Sequence, residues 1–420
     1  MIALVFILLA FSGLPLFLAI SGLALAGFAK ESLQLSLYFA EVMRLANNPT
    51  LMAIPLFTLG GYLLAESNAS RRLVNLVQVL IGWLPGGIAI VTLLVMALLT
   101  AFTGASGITI IALGGLMLPT LLKSGFSERF SLGLLTSSGS IGLLFPPSLP
   151  LILYGVVSSV PIDKLFIAGI VPGLLFVICI SLFSYLKGRR NALFRPSEPA
   201  KLWPALKGSL GEIILPVIII GGIYSGKFTV SEAAVLTVVY LLIVEVVLYR
   251  DIKLVDLPRI FIQSSVLVGG ILVILAAALA LTNYIIFTDI PSHILNLIKN
   301  FLPNRWAFLI ALNIFLLIVG CLMDIFSALV VIVPLILPLA QAYGVDFLHL
   351  GIIFLANLEI GYSTPPVGLN LFIASFRFQK PIVQLYRAAL PFLLIQLLAL
   401  LAITYIPALS LASVALFSSK

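Results

Sequence analysis

Charged residues are scarce in this 420-residue chain. They make up 9% of it, whereas a soluble domain carries about 25%, and the longest polar stretch, residues 187–211, is too short for a domain. Cysteine and histidine are also rare, with two of each. Because Cys179 and Cys321 lie in apolar runs with no metal spacing, they exclude a disulfide framework and a cysteine metal site. We expect His293 and His349 to lie at helix ends or interfaces.

Nucleotide and nucleic-acid motifs are missing as well. No segment matches the phosphate-binding pattern GxxxxGK[ST], so any work across a membrane must draw on an ion gradient or on another subunit. No basic stretch is interleaved with aromatic residues, so the net charge of +8 predicts basic cytoplasmic loops and no nucleic-acid partner. A membrane-embedded enzyme would need a catalytic pair, and the acids of the apolar segments are not paired in sequence. We predict no enzyme and no catalytic residues.

Apolar residues, in contrast, make up 62% of the chain, with a mean hydropathy of +1.25. A helix needs about 20 such residues to cross the bilayer, and runs of that length predict an all-α polytopic membrane protein. The opening run carries neither a basic segment nor a small-residue cleavage site, so we expect a first span there. The predicted spans are 2–28, 51–67, 130–157, 164–186, 210–226, 231–249, 261–287, 348–376 and 386–410.

Two further apolar segments, 84–121 and 306–341, carry a polar break at their middle. The breaks read TGASG at 103–107 and GCLMD at 320–324, which leaves halves that are short for a span. We predict two re-entrant hairpins whose tips meet the membrane interior. The predicted domains are N-terminal scaffold helices (1–83), a first repeat (84–186), a basic loop with scaffold helices (187–260), a second repeat with the last span (261–410) and a tail (411–420).

Lysine and arginine predict the orientation, because they accumulate in cytoplasmic loops. The 187–207 loop holds six of them, so we place it in the cytoplasm, and counting spans outward puts 16 of the 23 on that side. In this arrangement the first hairpin opens to the cytoplasm and the second to the outside. Glu232 and Glu245 lie near span ends, where we expect helix capping or snorkelling.

An internal repeat relates two broken helices. SGSIGLLFPPSLP at 138–150 and NLEIGYSTPPVGLN at 357–370 share the frame I-G-x-x-x-P-P at an offset of 219 residues. The same offset relates the hairpin prolines and the glycines in the loops that follow. In order, Pro119, Gly125, Ile141, Gly142, Pro146 and Pro147 correspond to Pro338, Gly344, Ile360, Gly361, Pro365 and Pro366. The topology gives the copies opposite orientations, an inverted repeat typical of secondary transporters.

The broken helices predict paired cation and anion sites. Proline removes a backbone donor and frees carbonyl oxygens upstream, and broken backbone inside a membrane is tolerated where it is buried in protein or lines a cavity. Free carbonyls suit sodium, and the N-termini of half-helices suit a substrate carboxylate. We predict sodium at Gly142, Pro146, Gly361 and Thr364.

The predicted ion- and substrate-binding residues are small, polar or proline and lie at the tips and breaks. In the first repeat they are Thr103, Gly104, Ser106, Gly107, Thr109, Ser140, Gly142, Pro146, Pro147 and Ser148. In the second repeat they are Asp324, Ser327, Asn357, Glu359, Gly361, Thr364, Pro365, Pro366, Gly368 and Asn370. The Ser363 hydroxyl can add a side-chain oxygen or orient the unwound backbone. Asp324 is either a site acid or the N-cap of the second hairpin helix. Glu359 is either a cation ligand or a brace for the broken backbone.

Five stretches give the chain a resemblance to a known family over nearly its full length. They are AIPLFTLGGYLL at 53–64, GLMLPTLLKSGFSERFSLGLLTSSGSIGLLFPPSLPLILYG at 115–155, KLFIAGIVPGLL at 164–175, LPVIIIGGIYSGKFTVSEAAV at 215–235 and NLEIGYSTPPVGLNLF at 357–372. The chain resembles the large membrane subunit, DctM type, of tripartite ATP-independent periplasmic (TRAP) transporters. Its first tip, TGASGIT, and its second, Asp324 followed by IFSA, depart from the usual family patterns.

The resemblance implies a sodium-coupled importer in the bacterial cytoplasmic (inner) membrane, with no cofactor besides Na⁺. It implies two partners, a small four-helix membrane subunit (DctQ type) and a periplasmic substrate-binding protein (DctP type), besides the lipid bilayer. It also implies an elevator mechanism and an organic-acid substrate such as a C4-dicarboxylate or sialic acid. A stand-alone sodium/divalent-anion symporter, which shares the plan of hairpins and broken helices, is the alternative.

Overall fold

The computed structural model describes residues 14–47, 49–191, 199–290 and 301–418. Residues 2–13 of the first predicted span, residues 192–198 of the basic loop and His293 lie outside these ranges. Within them, eight helices are long and apolar enough to cross a membrane, and ten if each of two bent pairs is one span. The prediction of an all-helical polytopic protein is confirmed.

In the ranges that the structure describes, four helices precede the first hairpin, and four more segments connect the two repeats. The first set is α1 (Leu16–Lys30), α2 (Ser36–Ala46), α3 (Ala53–Glu66) and α4 (Ala69–Ile81). The connecting set is α10 (Leu202–Gly208), α11 (Leu210–Tyr224), α12 (Val230–Leu241) and α13 (Leu257–Phe287). A π-helical segment (Leu242–Leu248) continues α12, and α5 to α9 form the first repeat. A capping box starts α12, in which Glu232 and Thr229 bond each other's backbone N–H, as expected of Glu232.

The two repeats share five helices in the same order, and the first has in addition a 3₁₀ turn at its break. The first has α5 (Gly87–Thr103), α6 (Ser106–Lys123), α7 (Glu128–Ser138), a 3₁₀ turn (Ile141–Leu144), α8 (Leu149–Ser158) and α9 (Ile162–Asn191). The second has α14 (Arg305–Leu322), α15 (Ile325–Ala342), α16 (Phe347–Gly361), α17 (Leu369–Phe378), α18 (Ile382–Tyr405) and then α19 (Ala408–Ser418). Both ends of α6 map onto those of α15 at the offset of 219 residues, which confirms the repeat at the level of structure.

Contacts at the open ends show that both helix pairs are hairpins. The start of α5 and the segment after α6 both lie beside the C-terminal end of α9. There, a Cβ on Gly188 would lie 2.2 Å from Gly86 Cα, and the rings of Phe130 and Phe183 are 5.8 Å apart. In the second pair, the hydroxyl of Tyr343 after α15 donates to the Leu302 carbonyl before α14 at 2.8 Å. Each chain segment therefore returns to the face it came from.

The hairpins open on opposite faces, as predicted for an inverted repeat. The open end of the first lies at the C-terminal end of α9. The open end of the second leads into α16, whose Phe347 carbonyl accepts a 2.7 Å hydrogen bond from the Tyr154 hydroxyl. Tyr154 belongs to α8, which ends only a few residues before α9 begins, so this contact lies at the N-terminal end of α9.

Several helices lie where spans were not predicted. α2, α4 and α10 occupy segments expected to be loops, and α19 occupies most of the predicted tail. α19 packs along α9, and the Ser413 hydroxyl donates to the Ile167 carbonyl at 3.2 Å. α4 is amphipathic, and its buried residues are Ala69, Leu73, Val74 and Leu76.

An ion-pair cluster fixes α4 to the scaffold helices. Arg72 contacts Glu212 on α11 at 2.5 Å, Glu245 at 2.8 Å and Asp251 at 2.5 Å, and its guanidinium lies 4.1 Å from the ring centre of Tyr249. The expectation of snorkelling for Glu245 is therefore wrong, because its side chain is buried and paired. The cluster anchors the helix that leads into the first hairpin.

Candidate functional site

The tip of the first hairpin is a two-residue turn, Gly104 and Ala105, between α5 and α6. Gly104 ends α5 with a φ of +63°, a left-handed conformation that glycine adopts without steric cost. A Cβ there would also lie 2.5 Å from the Leu149 side chain at the start of α8. Glycine thus permits both the turn and the approach of α8.

Threonines tie this tip to the first broken helix. The Thr100 hydroxyl lies 2.8 Å from both Thr109 Oγ1 and the Gly139 carbonyl. Thr103 lies 3.4 Å from Thr109, so two predicted residues belong to one buried hydroxyl cluster. Thr100 was missed by the sequence analysis, although a threonine one turn before the tip is a usable signal.

The first helix break spans residues 139–148, between α7 and α8. Gly142 packs against α5 so closely that a Cβ would lie 2.2 Å from the Ala97 carbonyl oxygen. The Pro146–Pro147 bond is cis, and both residues are buried. The Ser148 hydroxyl is buried and has no hydrogen-bond partner in the described part of the chain.

The second hairpin tip consists of Met323 and Asp324. The Asp324 carboxylate accepts hydrogen bonds from the Ser327 backbone N–H at 3.0 Å and from its hydroxyl at 2.5 Å. Asp324 is thus the N-cap of α15, one of the two roles expected of it. Ser327 is its partner in that cap.

The second break packs directly against this tip. A Cβ on Gly361 would lie 2.6 Å from Gly320 Cα, and the Gly368 N–H donates to the Cys321 carbonyl at 3.0 Å. The Tyr362 hydroxyl accepts from the Ile325 N–H at 2.5 Å. Tyr362 was not predicted, although it lies inside the repeated frame.

Within the second break, one side-chain and one backbone hydrogen bond hold the unwound segment in place. Thr364 donates to the Ile360 carbonyl at 2.8 Å, and the Asn370 N–H donates to the Tyr362 carbonyl at 2.9 Å. The Pro365–Pro366 bond is cis, like its counterpart. Unlike that buried counterpart, both prolines are exposed, so the second break reaches the protein surface and the first does not.

The two tips and the two breaks form one connected centre. The Ser106 hydroxyl at the start of α6 donates to Asn370 Oδ1 at the start of α17, at 2.7 Å. A Cβ on the neighbouring Gly107 would lie 2.5 Å from the Ile373 side chain. The first tip therefore contacts both broken helices. Two helix N-termini meet at Ser106 and Asn370.

Glu359 is the most unusual side chain of the centre. Its residue is fully buried, and neither carboxylate oxygen has a hydrogen-bond partner among the described residues. The prediction that the Glu359 side chain braces the broken backbone is therefore wrong. The brace is Ser140, whose hydroxyl donates to the Glu359 carbonyl at 3.1 Å.

Other buried oxygens near the breaks share this property. Within the ranges that the structure describes, the side-chain oxygens without a hydrogen-bond partner include those of Ser137, Ser138, Asn357 and Gln396. The Gln396 amide donates to the Ser137 carbonyl at 3.4 Å, which brings α18 against the end of α7. Gln396 was missed, although a glutamine inside the run LLIQLLALL is the kind of intramembrane polar residue that signals a site.

Asn357 lies in a separate polar network. Its amide donates to Asn313 Oδ1 on α14 at 2.7 Å, and the Asn313 amide donates to Thr404 on α18 at 3.1 Å. No group of three or more His, Cys, Asp or Glu residues is arranged for a metal ion in the described parts of the chain.

Comparison with known families gives one match over almost the whole chain. The profile described as "Tripartite ATP-independent periplasmic transporter, DctM component" matches residues 1–409. The C4-dicarboxylate TRAP transporter large permease protein DctM of Pseudomonas aeruginosa is 37% identical over 365 residues, which cover 86% of each chain. An ectoine/5-hydroxyectoine TRAP transporter large permease protein of Ruegeria pomeroyi is 33% identical over 369 residues, covering 86% of this chain and 85% of that one.

A fused relative and a solved structure add two observations. The isethionate TRAP transporter permease protein DctMQ of Oleidesulfovibrio alaskensis is 34% identical over 361 residues, which cover 85% of this chain and 57% of that protein. The crystal structure of the Alcanivorax borkumensis YdaH transporter, described as having an unusual topology, superposes with a TM-score of 0.59 at 14% identity. It covers 91% of this chain and 87% of its own, and it supports the fold alone.

Proposed function

The chain belongs to the DctM family of TRAP transporter large permeases, and from that premise we propose that it is the permease subunit of a sodium-coupled importer of small organic anions. The C4-dicarboxylates, isethionate and ectoine named for its relatives each carry a carboxylate or a sulfonate group. We extend the common feature, an anionic oxygen group, to the substrate of this chain. C4-dicarboxylates are the first candidates, and sialic acid is a further one.

The observation that carries the proposal is the meeting of two helix N-termini beside two helix breaks. The N-termini of α6 and α17 are joined by the 2.7 Å contact between Ser106 and Asn370. Unpaired N–H groups and the positive ends of two helix dipoles would attract an anion there. No lysine or arginine is among the predicted site residues, so this backbone charge would supply the attraction.

Sodium would bind where carbonyl oxygens are free of helical partners. In the second break, Gly361 lies beside the tip residues Gly320 and Cys321, and Thr364 follows three residues later. In the first break the corresponding candidates are Gly142, the repeat counterpart of Gly361, and Pro146, the counterpart of Pro365. Hard cations prefer oxygen ligands, and buried oxygens without donors, such as those of Glu359, are available to them. The sodium would neutralise the negative charge of the adjacent substrate anion, and this would couple the binding of sodium to the binding of substrate.

Transport would proceed by an elevator movement of the hairpins and broken helices against the scaffold. In support, a cavity of about 590 Å³ lies between α6 and the scaffold helices α3 and α13, lined by residues that include Ile108, Tyr62 and Gln263. Empty space between the hairpin and the scaffold at this place would favour a sliding movement of one part against the other. We place the subunit in the bacterial inner membrane, working with a DctQ-type membrane subunit and a DctP-type binding protein.

The test is uptake of radiolabelled organic acids into proteoliposomes that contain all three components. We expect accumulation that requires an inward sodium gradient and that Thr364→Ala reduces without loss of insertion. Uptake that is independent of sodium would refute the coupling. Sodium-driven uptake of a divalent anion by this chain alone, without its partners, would instead identify the stand-alone symporter.

A further inference from the structure

A second polar cavity lies far from the hairpin tips, where α7, α9 and α18 meet at their cytoplasmic ends. Its volume is about 350 Å³, within the ~300–1,000 Å³ range of ligand pockets. Four phenylalanines form its wall, namely Phe126, Phe130, Phe183 and Phe392, and two cations, Arg129 and Lys187, line it as well. None of the residues that line it belongs to the predicted ion- and substrate-binding set.

The aromatic wall is rigidly packed. The rings of Phe126 and Phe130 are stacked with centres 4.9 Å apart, and those of Phe183 and Phe392 meet edge to face at 5.2 Å. Three of the four residues are buried, while Phe183 is partly exposed. The cavity therefore has a fixed apolar floor that three different helices contribute.

The charge at the cavity is positive. Arg129 and Lys187 are both exposed, and no acid is among the described residues that line the cavity. Arg129 is held in place because its guanidinium donates to the Arg387 carbonyl at 3.1 and 2.9 Å. The adjacent acid, Glu128, is already paired with Lys380 at 2.6 Å, so two cations remain to receive an anion.

Two exposed apolar stripes run from this cavity toward the membrane interior. On α9 the stripe consists of Ile178, Leu182 and Leu186, and on α18 it includes Leu390 and Leu394. Their spacing of four residues places each set on one helix face. The cations lie at the basic end of α9, beside the 187–207 loop, and the stripes lie within the predicted spans. The cations and the apolar stripes therefore follow one another in the same order as the headgroup and the acyl chains of a lipid in the cytoplasmic leaflet.

We propose that this cavity binds one anionic phospholipid, with its phosphate between Arg129 and Lys187. The acyl chains lie along the stripes of α9 and α18, and the glycerol region rests on the phenylalanine floor. Basic pockets between membrane helices on the cytoplasmic side are established sites for anionic headgroups. The bound lipid would join helices that belong to both repeats.

Native mass spectrometry of the full chain, released from bilayers that contain equal phosphatidylglycerol and phosphatidylcholine, tests the proposal. We expect one retained phosphatidylglycerol, and Lys187→Gln should weaken its retention relative to phosphatidylcholine about fivefold, the share of one surface cation. Lys123→Gln, an exposed cation on the same face outside the cavity, is the matched control. Equal retention in the Lys187 variant and the wild type, or equal loss in the control, would overturn the proposal.

Two further measurements separate a lipid from a free anion and avoid dependence on variants. Millimolar inorganic phosphate should leave the retained lipid in place, whereas complete displacement would mean a small-anion site. A photoactivatable phosphatidylglycerol in the unmodified protein should crosslink to residues around 178–187 and 388–394. Crosslinks distributed evenly over other exposed helix faces would contradict the site.

Discussion

The Ser140 hydroxyl donates a 3.1 Å hydrogen bond to the carbonyl of Glu359, and the two residues are 219 positions apart. That separation is the offset of the internal repeat, so each residue is the counterpart of the other. A contact between counterparts lies beside the pseudo-two-fold axis that relates the repeats. The two broken helices therefore touch at the axis, where a displacement of one acts directly on the other.

Removal of this contact should affect transport more than folding. We expect Ser140→Ala to lower uptake several-fold and to reduce stability by about 1 kcal/mol, the net value of one hydrogen bond. Ser131→Ala is the control, because Ser131 is equally buried and its hydroxyl bonds only Ser127 of its own helix start. Uptake and thermal unfolding of both variants would be compared, and equal uptake by the two would count against a role of the axis contact.

The approach of the second break to its hairpin tip predicts an intolerant glycine. A Cβ on Gly361 would lie 2.6 Å from Gly320 Cα and 3.0 Å from Cys321 N, so Gly361→Ala must separate α14 from the break. We expect at least a tenfold loss of uptake, because catalytic and binding geometry is sensitive to displacements of about 1 Å. Sodium-dependent uptake measures this directly.

Gly270→Ala is the matched control for that substitution. Gly270 lies in α13, and a Cβ there would meet nothing within 4 Å, while alanine favours the helix by up to about 1 kcal/mol. Wild-type uptake is expected from this variant. The prediction fails if both alanine variants transport equally well.

The hairpins and breaks could be predicted because their residues have local consequences. Proline and glycine disturb a helix wherever they occur, and an internal repeat can be detected from the sequence alone. Both ends of α6 correspond to those of α15 at the offset of 219 residues, so the repeat in the sequence is also a repeat in helix boundaries. The class of fold and the positions of both tips were therefore accessible without coordinates.

What could not be predicted depends on contacts between distant segments. From the sequence, Arg72 could only be counted as one positive charge on the cytoplasmic side. Its pairing with Glu212, Glu245 and Asp251 joins residues up to 179 positions apart. Similarly, the sequence placed Glu359 at a break but could not show which atom braces the backbone. Side-chain direction is decided by tertiary packing, which composition and spacing do not contain.

Asp324 offers a test of capping against charge. Since its carboxylate caps α15 through Ser327, we expect Asp324→Ala to cost about 1 kcal/mol, whereas Asp324→Asn retains the cap. Unfolding temperatures of the two variants in the same detergent would show the difference. If the asparagine variant is as stable as the wild type but transports nothing, the carboxylate itself takes part in binding.

The Arg72 cluster predicts a large difference between neighbouring arginines. Arg72→Met leaves Glu212 and Glu245 buried without a counter-charge, which should destabilise the protein by about 3 kcal/mol. Arg71→Met changes an exposed side chain and is expected to be nearly neutral. Thermal unfolding in proteoliposomes distinguishes them, and addition of Glu245→Gln to Arg72→Met should restore part of the loss.

Asp251 makes part of this stabilisation dependent on pH. Partial burial alone would raise the pKa of Asp251, but hydrogen bonds from Asn68 and Arg72 hold it below its ordinary value. A lowered pKa means that the stabilisation is fully present above the unfolded-state value of about 4 and is lost as the pH falls through the folded-state value. Asp251→Asn should therefore be less stable than the wild type at pH 7, on the order of 1 kcal/mol for a partly exposed pair, and the difference should shrink toward pH 3. Asp256→Asn, whose side chain does not cap α13, provides the comparison, and a difference for Asp251→Asn that stays constant from pH 7 to pH 3 would contradict the assignment.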